Sequence, residues 1–227
     1  MTRDMITLDS AVDIVGSMPR FGQEAIADER SLAWSTLEYA AEEGGEITRA
    51  FLAALPAEWR AADVAVQVKM SRLERGDAAG PLGFHCDWLA TDAVGRRTDP
   101  NQQWPQGVAV VVGDCAPTRF IEGRLELPAA PTQADQAREW EPLIRNAIAA
   151  GRAKEIVVEP STLFRFGPCS LHGRSPASFD GWRGILRAKK TPGRKPFIWN
   201  CTWEKLQSAF RARMARGAIH GAPGVAP

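Results

Sequence analysis

The stretch Asp63–Leu73, DVAVQVKMSRL, sets Val64, Val66, Val68 and Met70 at every second position, with Gln67, Lys69 and Ser71 between them. A period of two marks a strand with one buried face. The polar face has two readings. Lining a barrel, Gln67 and Lys69 would touch a bound ligand; facing solvent, they are ordinary surface residues. The solvent reading is preferred.

Further strands follow. GFHCDWLA (Gly83–Ala90) reads as a short one. GVAVVVGD (Gly107–Asp114) is a β-branched run of the kind found in buried strands. TRFIEG and RLELP read as strand pieces around a turn at Gly123. EIVVE, TLFRFG, PCSLHG, GWRGILRAKK and PFIWNCTW continue the series to Trp203. One helix interrupts them, Ala134–Ala149, with Trp140, Leu143, Ile144 and Ile148 on one side. Short strands at regular spacing with Gly/Pro turns predict an all-β barrel or jelly roll decorated by helices.

Before Asp63 the pattern reads as helical. Ser10 is a candidate cap for a short helix through Val15. Phe21–Glu43 carries a loose helical period ended by Gly44-Gly45, and Glu46–Leu55 stops before Pro56. A last helix, Glu204–Arg216, precedes Gly217 and a tail expected to be disordered, 218–227. The expected plan is one domain over 1–217. It has a helical part at 1–60, a barrel core at 63–203 with a helical insertion at 134–150, and a C-terminal helix at 204–216.

The 227 residues are 44% hydrophobic and 24% charged, with 28 Lys plus Arg against 27 Asp plus Glu. A net charge of +1 calls for neither nucleic acid nor an anionic membrane as partner. The basic stretch Phe210–Arg216 reads as a solvated helix face. No apolar run approaches a membrane span and no signal-peptide core opens the chain, so a cytoplasmic location is expected. Cys86, Cys115, Cys169 and Cys201 form no C-x-x-C pair and read as free thiols. There is no internal repeat and no glycine-rich phosphate loop. Oligomeric state is not readable.

Of the three histidines, His220 lies in the tail. His85 belongs to His85-Cys86-Asp87, where residues two apart on a strand share a face. His172 stands on a late strand. Two imidazoles and one carboxylate can hold one face of a metal and leave the other open, an arrangement suited to Fe(II) oxygenases. Arg183 and Arg187 lie eleven and fifteen residues past His172, on one face of one strand. A guanidinium inside a barrel needs an anion, and a bound dicarboxylate would supply it.

The order H-x-D, a distant H-G-R, then G-W-R some ten residues on, resembles the Fe(II)/2-oxoglutarate-dependent dioxygenases, over roughly Asp63 to Trp203. The resemblance implies a double-stranded β-helix, a jelly-roll or cupin-like barrel. It implies His85, Asp87 and His172 as ligands of Fe(II), with 2-oxoglutarate as cosubstrate and O2 as oxidant. Arg183 matches the position that binds the far carboxylate of 2-oxoglutarate, and Arg187 a second position sometimes used for a substrate anion. Thr118, in a segment resembling the family's mid-barrel strand, is a cosubstrate contact or a turn residue. Halogenases of the superfamily carry a small residue where this chain has Asp87, so Asp87 points to hydroxylation or a related oxidation.

The expected substrate is a small metabolite such as an amino acid or another carboxylate-bearing compound, with a peptide or carrier-bound substrate as the alternative. The helical N-terminal part and the loop Thr91–Gln106 are the expected mouth and lid, and Trp88, Trp182, Trp199 and Trp203 are core or pocket wall. Arg174 holds a lid loop or is exposed. Two alternatives remain at this level: an iron oxygenase that needs no cosubstrate, and a non-catalytic metal-binding module on a cupin-like barrel.

Overall fold

The computed structural model describes residues 5–61, 63–77, 83–87, 106–130, 132–190 and 198–215. The expected lid at Thr91–Gln106 up to residue 105, Trp88, and the tail with His220 lie outside them.

Among the described residues ten strands form two antiparallel sheets. Chain order is β1 (Met5–Ser10), β2 (Asp13–Ser17), α1 (Gln23–Asp28), β3 (Leu32–Ser35), α2 (Leu37–Glu43), α3 (Glu46–Ala54), β4 (Ala65–Leu73), β5 (Gln106–Val112) and β6 (Thr118–Pro128). Then come α4 (Gln133–Ala149), β7 (Ala153–Val158), β8 (Thr162–Phe166), β9 (His172–Arg174), β10 (Gly181–Lys190) and α5 (Trp203–Ala215). The larger sheet has the order β2-β8-β5-β10-β4-β3. In the smaller one β6 is central: β7 runs along one edge, and β9 and β1 lie end to end along the other. No helix among the described residues is long and apolar enough to cross a membrane.

Strand alternation sorts the larger sheet into two faces. Val66, Val68, Val108, Val110, Val112, Leu163, Leu186 and Ala188 pack outward against Ile26, Ile47 and Phe51 of the N-terminal helices. Ala109, Val111, Phe164 and Phe166 face the other way and meet Phe120 and Val158 of the smaller sheet. The Phe120 and Phe164 rings stand edge to face at 4.9 Å. A third core, with Leu8, Ile121, Leu125, Trp140 and Ile144, seals α4 onto the outer side of the smaller sheet.

The first sixty residues differ from the helical expectation. Ser10 caps no helix: it ends β1, its hydroxyl donates to the Ile121 carbonyl, and it accepts from Leu171 N–H at 2.9 Å. MITLDS is a strand because β6, more than a hundred residues away, offers it a partner in register from Met5↔Pro128 to Ser10↔Gly123. Phe21–Glu43 is split by β3, which pairs with β4. In both places tertiary pairing outweighs local propensity.

Gly123 is no turn. β6 runs through it, and its φ of +144° lets the chain pass where a Cβ would meet the Arg152 carbonyl at 2.8 Å. Two expected strands are isolated bridges in the described residues, His85↔His172 and Leu32↔Thr202.

Candidate metal centre

His85 and His172 meet through the backbone. His85 N–H donates to the His172 carbonyl at 2.9 Å and His172 N–H to the His85 carbonyl at 3.0 Å. Their rings stand 4.6 Å apart. Asp87, two residues on, lies on the same side as His85, while Cys86 points into the core behind, its N–H held by Gln136 Oε1 at 3.0 Å. Asp87 Oδ1 lies 3.7 Å from His85 Nε2 and 3.5 Å from His172 Nε2. One ligand atom from each of the three residues falls within 4.8 Å of the others.

The donor set suits a divalent cation. His172 Nδ1 lies 3.0 Å from the Ser170 carbonyl and His85 Nδ1 3.4 Å from the Gly83 carbonyl. A carbonyl only accepts, so each Nδ1 carries the hydrogen and each Nε2 presents a lone pair to the common point. Burial and the neighbouring His172 push His85 down to about 4, which leaves it neutral and ready to ligate at physiological pH. For Asp87, burial alone would raise the carboxyl. His172, Arg187 and His85 outweigh it and hold the group well below the usual carboxylate range.

The triad opens onto a pocket whose lining includes Asp87 and His172. Its apolar wall comprises Ala109, Phe120, Phe164, Phe166 and Ile185, and its polar lining includes Thr118, Arg174, Arg183 and Arg187. Arg183 is 3% exposed. Its Nε donates to the Ala116 carbonyl at 2.8 Å and an Nη to Thr118 Oγ1 at 2.8 Å. No carboxylate among the described residues pairs with it, and burial followed by Arg174 pushes it down to about 9. Thr118 is the first residue of β6, not a turn residue.

Arg187 is engaged differently from the expected substrate-anion role. An Nη donates to Asp87 Oδ2 at 2.9 Å, and its Nε and other Nη donate to Gln67 Oε1. Gln67 therefore does not face solvent: it is 5% exposed and belongs to the site. The register explains this, since Gln67 on β4 sits opposite Arg187 on β10 and paired residues share a face. Lys69, the next residue along that polar face, is exposed.

Sequence reasoning weighed Gln67 and Arg174 without placing either beside the metal ligands, and it missed Gln136, which carried no signal. Trp182 packs against the helix-side core and Trp199 is exposed, so neither supplies a wall of this cavity.

No protein-family model matches the sequence, and no curated protein is significantly similar to it. The chain is similar in structure to a non-haem monooxygenase, the ThoJ–nickel complex, at 15% identity over 82% of this chain and 75% of that one, with a TM-score of 0.39. It is also similar to an N-substituted L-amino acid dioxygenase from Burkholderia ambifaria AMMD, at 17% identity over 81% of each chain and a TM-score of 0.38. A third similar structure is AviO1 from Streptomyces viridochromogenes Tue57, at 14% identity over 83% of this chain and 93% of that one, TM-score 0.38.

Proposed function

We propose that the protein is an Fe(II)- and 2-oxoglutarate-dependent oxygenase that hydroxylates an unactivated C–H bond of a small, carboxylate-bearing metabolite. The observation that carries this reading is a pair of features on one cavity: the convergent Nε2, Nε2 and Oδ1 atoms of His85, His172 and Asp87, and the buried Arg183 that has no carboxylate partner among the described residues. A facial set of two histidines and one carboxylate suits Fe(II) with open positions.

When bound, the iron supplies the redox chemistry by which O2, 2-oxoglutarate and R–H become succinate, CO2 and R–OH. The chain supplies position and exclusion. His85 and His172 are oriented through their Nδ1–H groups, and Asp87 offers Oδ1 while Arg187 holds Oδ2. Arg183, steadied by Ala116 and Thr118, directs its remaining N–H groups at the far carboxylate of 2-oxoglutarate. Phe120, Phe164, Phe166 and Ile185 keep that side of the cavity apolar and poor in water.

The test is aerobic succinate release from 2-oxoglutarate by the iron-loaded chain, followed across candidate acids. The wild type should release succinate in response to a substrate, and Asp87→Ala should not. An Asp87→Ala protein as active as the wild type would sink the assignment.

A further inference from the structure

Three guanidinium groups, those of Arg174, Arg183 and Arg187, line the same pocket, and among its described lining residues Asp87 is the only carboxylate. Arg187 is committed to Asp87. Arg183 faces the cosubstrate in the reading above. Arg174 is left over. It pairs with Thr118 across β6 and β9, so the two side chains share the inward face with His172 and Phe120. No carboxylate among the described residues stands at ion-pair distance from it. Burial, followed by repulsion from Arg187, lowers it from the ordinary arginine value.

Lys69, outside the described lining, adds a further positive charge on the larger sheet. It projects from the same face of the larger sheet as Arg183 and Arg187, opposite Ile185. Burial of part of its length, then Arg174, Arg187 and Arg183, lower it.

The formal charges decide the direction. The described lining residues carry three guanidinium groups against one carboxylate, a surplus of positive charge. A divalent cation raises that surplus and a bound dicarboxylate returns it to the starting value. A desolvated positive surplus is unfavourable unless a further anion meets it.

We infer that the cavity takes a second anion beside the cosubstrate: the substrate is a carboxylic acid whose carboxylate binds Arg174, with Lys69 adding positive charge from the larger sheet, and whose apolar chain lies against Phe120, Phe164, Phe166 and Ile185. This rests on the iron and 2-oxoglutarate reading for the reaction, and on Arg174 alone for the anion.

The experiment uses the full chain loaded with Ni(II), which binds without turning over. 2-Oxoglutarate is titrated first. Straight-chain acids from butanoate to octanoate and their primary amides are then titrated by calorimetry, with and without saturating 2-oxoglutarate. At least one acid should bind tenfold or more tighter than its amide. Arg174→Gln should erase that preference and change 2-oxoglutarate affinity less than threefold, whereas Arg174→Lys should keep part of the preference. Acids and amides binding alike, no acid binding at all, or a preference that survives in Arg174→Gln would overturn the proposal. So would a tenfold loss of 2-oxoglutarate affinity in Arg174→Gln, which would assign Arg174 to the cosubstrate. Failure of 2-oxoglutarate to bind the wild type would instead remove the cosubstrate reading, while the titrations without it would still read Arg174.

Discussion

The Arg187 guanidinium stands 2.9 Å from Oδ2 of Asp87, which leaves Oδ1 as the oxygen turned toward both His85 and His172. One residue of β10 thereby settles which oxygen of a loop carboxylate is presented. Gln67, buried beneath, fixes the guanidinium in turn. Removing a partner of this kind from a metal ligand usually lowers metal affinity by about 10- to 100-fold. Arg187→Gln should weaken Fe(II) or Ni(II) binding in that range, and Arg187→Lys by less. Equilibrium titration of the metal reads it; unchanged affinity in Arg187→Gln would show that the contact does not orient Asp87.

Arg183 should govern the cosubstrate. A hydrogen bond to a charged group contributes about 1.5–3 kcal/mol, so Arg183→Gln should raise the Kd for 2-oxoglutarate by roughly 10- to 100-fold. Thr118→Ala removes one of the two acceptors that hold the guanidinium, and its effect should have the same sign and be smaller. Metal affinity should stay as in the wild type for both variants.

Gly113 ties stability to the site. Its φ is +83°, and a Cβ there would come 2.3 Å from the Trp182 carbonyl oxygen and 3.2 Å from Arg183 Cα. Neither backbone atom can yield as a side-chain tip would. Gly113→Ala should cost about 2 kcal/mol or more, seen as a lower urea midpoint, and should weaken 2-oxoglutarate binding by shifting Arg183.

Glu29 offers a prediction that leaves the site alone. Its buried carboxylate accepts from Gly45 N–H at 2.7 Å, Ile47 N–H at 2.8 Å and the Thr48 hydroxyl at 2.9 Å, and so caps the start of α3. Glu29→Ala strands these donors and should cost roughly 3 kcal/mol. Glu29→Gln should cost less. Chemical denaturation measures both, with metal and 2-oxoglutarate affinities of the folded fraction unchanged.

The legible parts of the fold were those whose pattern is local. The Val64-Val66-Val68 alternation and the Gly107–Val112 run needed no partner to be recognised, and β4, β5, β8 and β10 stand close to where they were expected. β1 and β3 were not legible because their strand character comes from distant partners, β6 and β4.

In the candidate site, H-x-D was readable because two residues on one side of an extended chain need only local geometry. The second imidazole was placed by motif order. What stayed hidden were relationships across strands: Gln67 beneath Arg187, Arg187 on Asp87, and Arg174 beside Thr118. Each depends on register, which no single segment encodes.

The measurement that bears most directly on the central claim is the visible spectrum of the protein mixed anaerobically with Fe(II) and then with 2-oxoglutarate. A weak metal-to-ligand band that needs both additions, and that is absent from Asp87→Ala, is the predicted result. Iron bound to the wild type with no band on adding 2-oxoglutarate, or no iron bound at all, would contradict it.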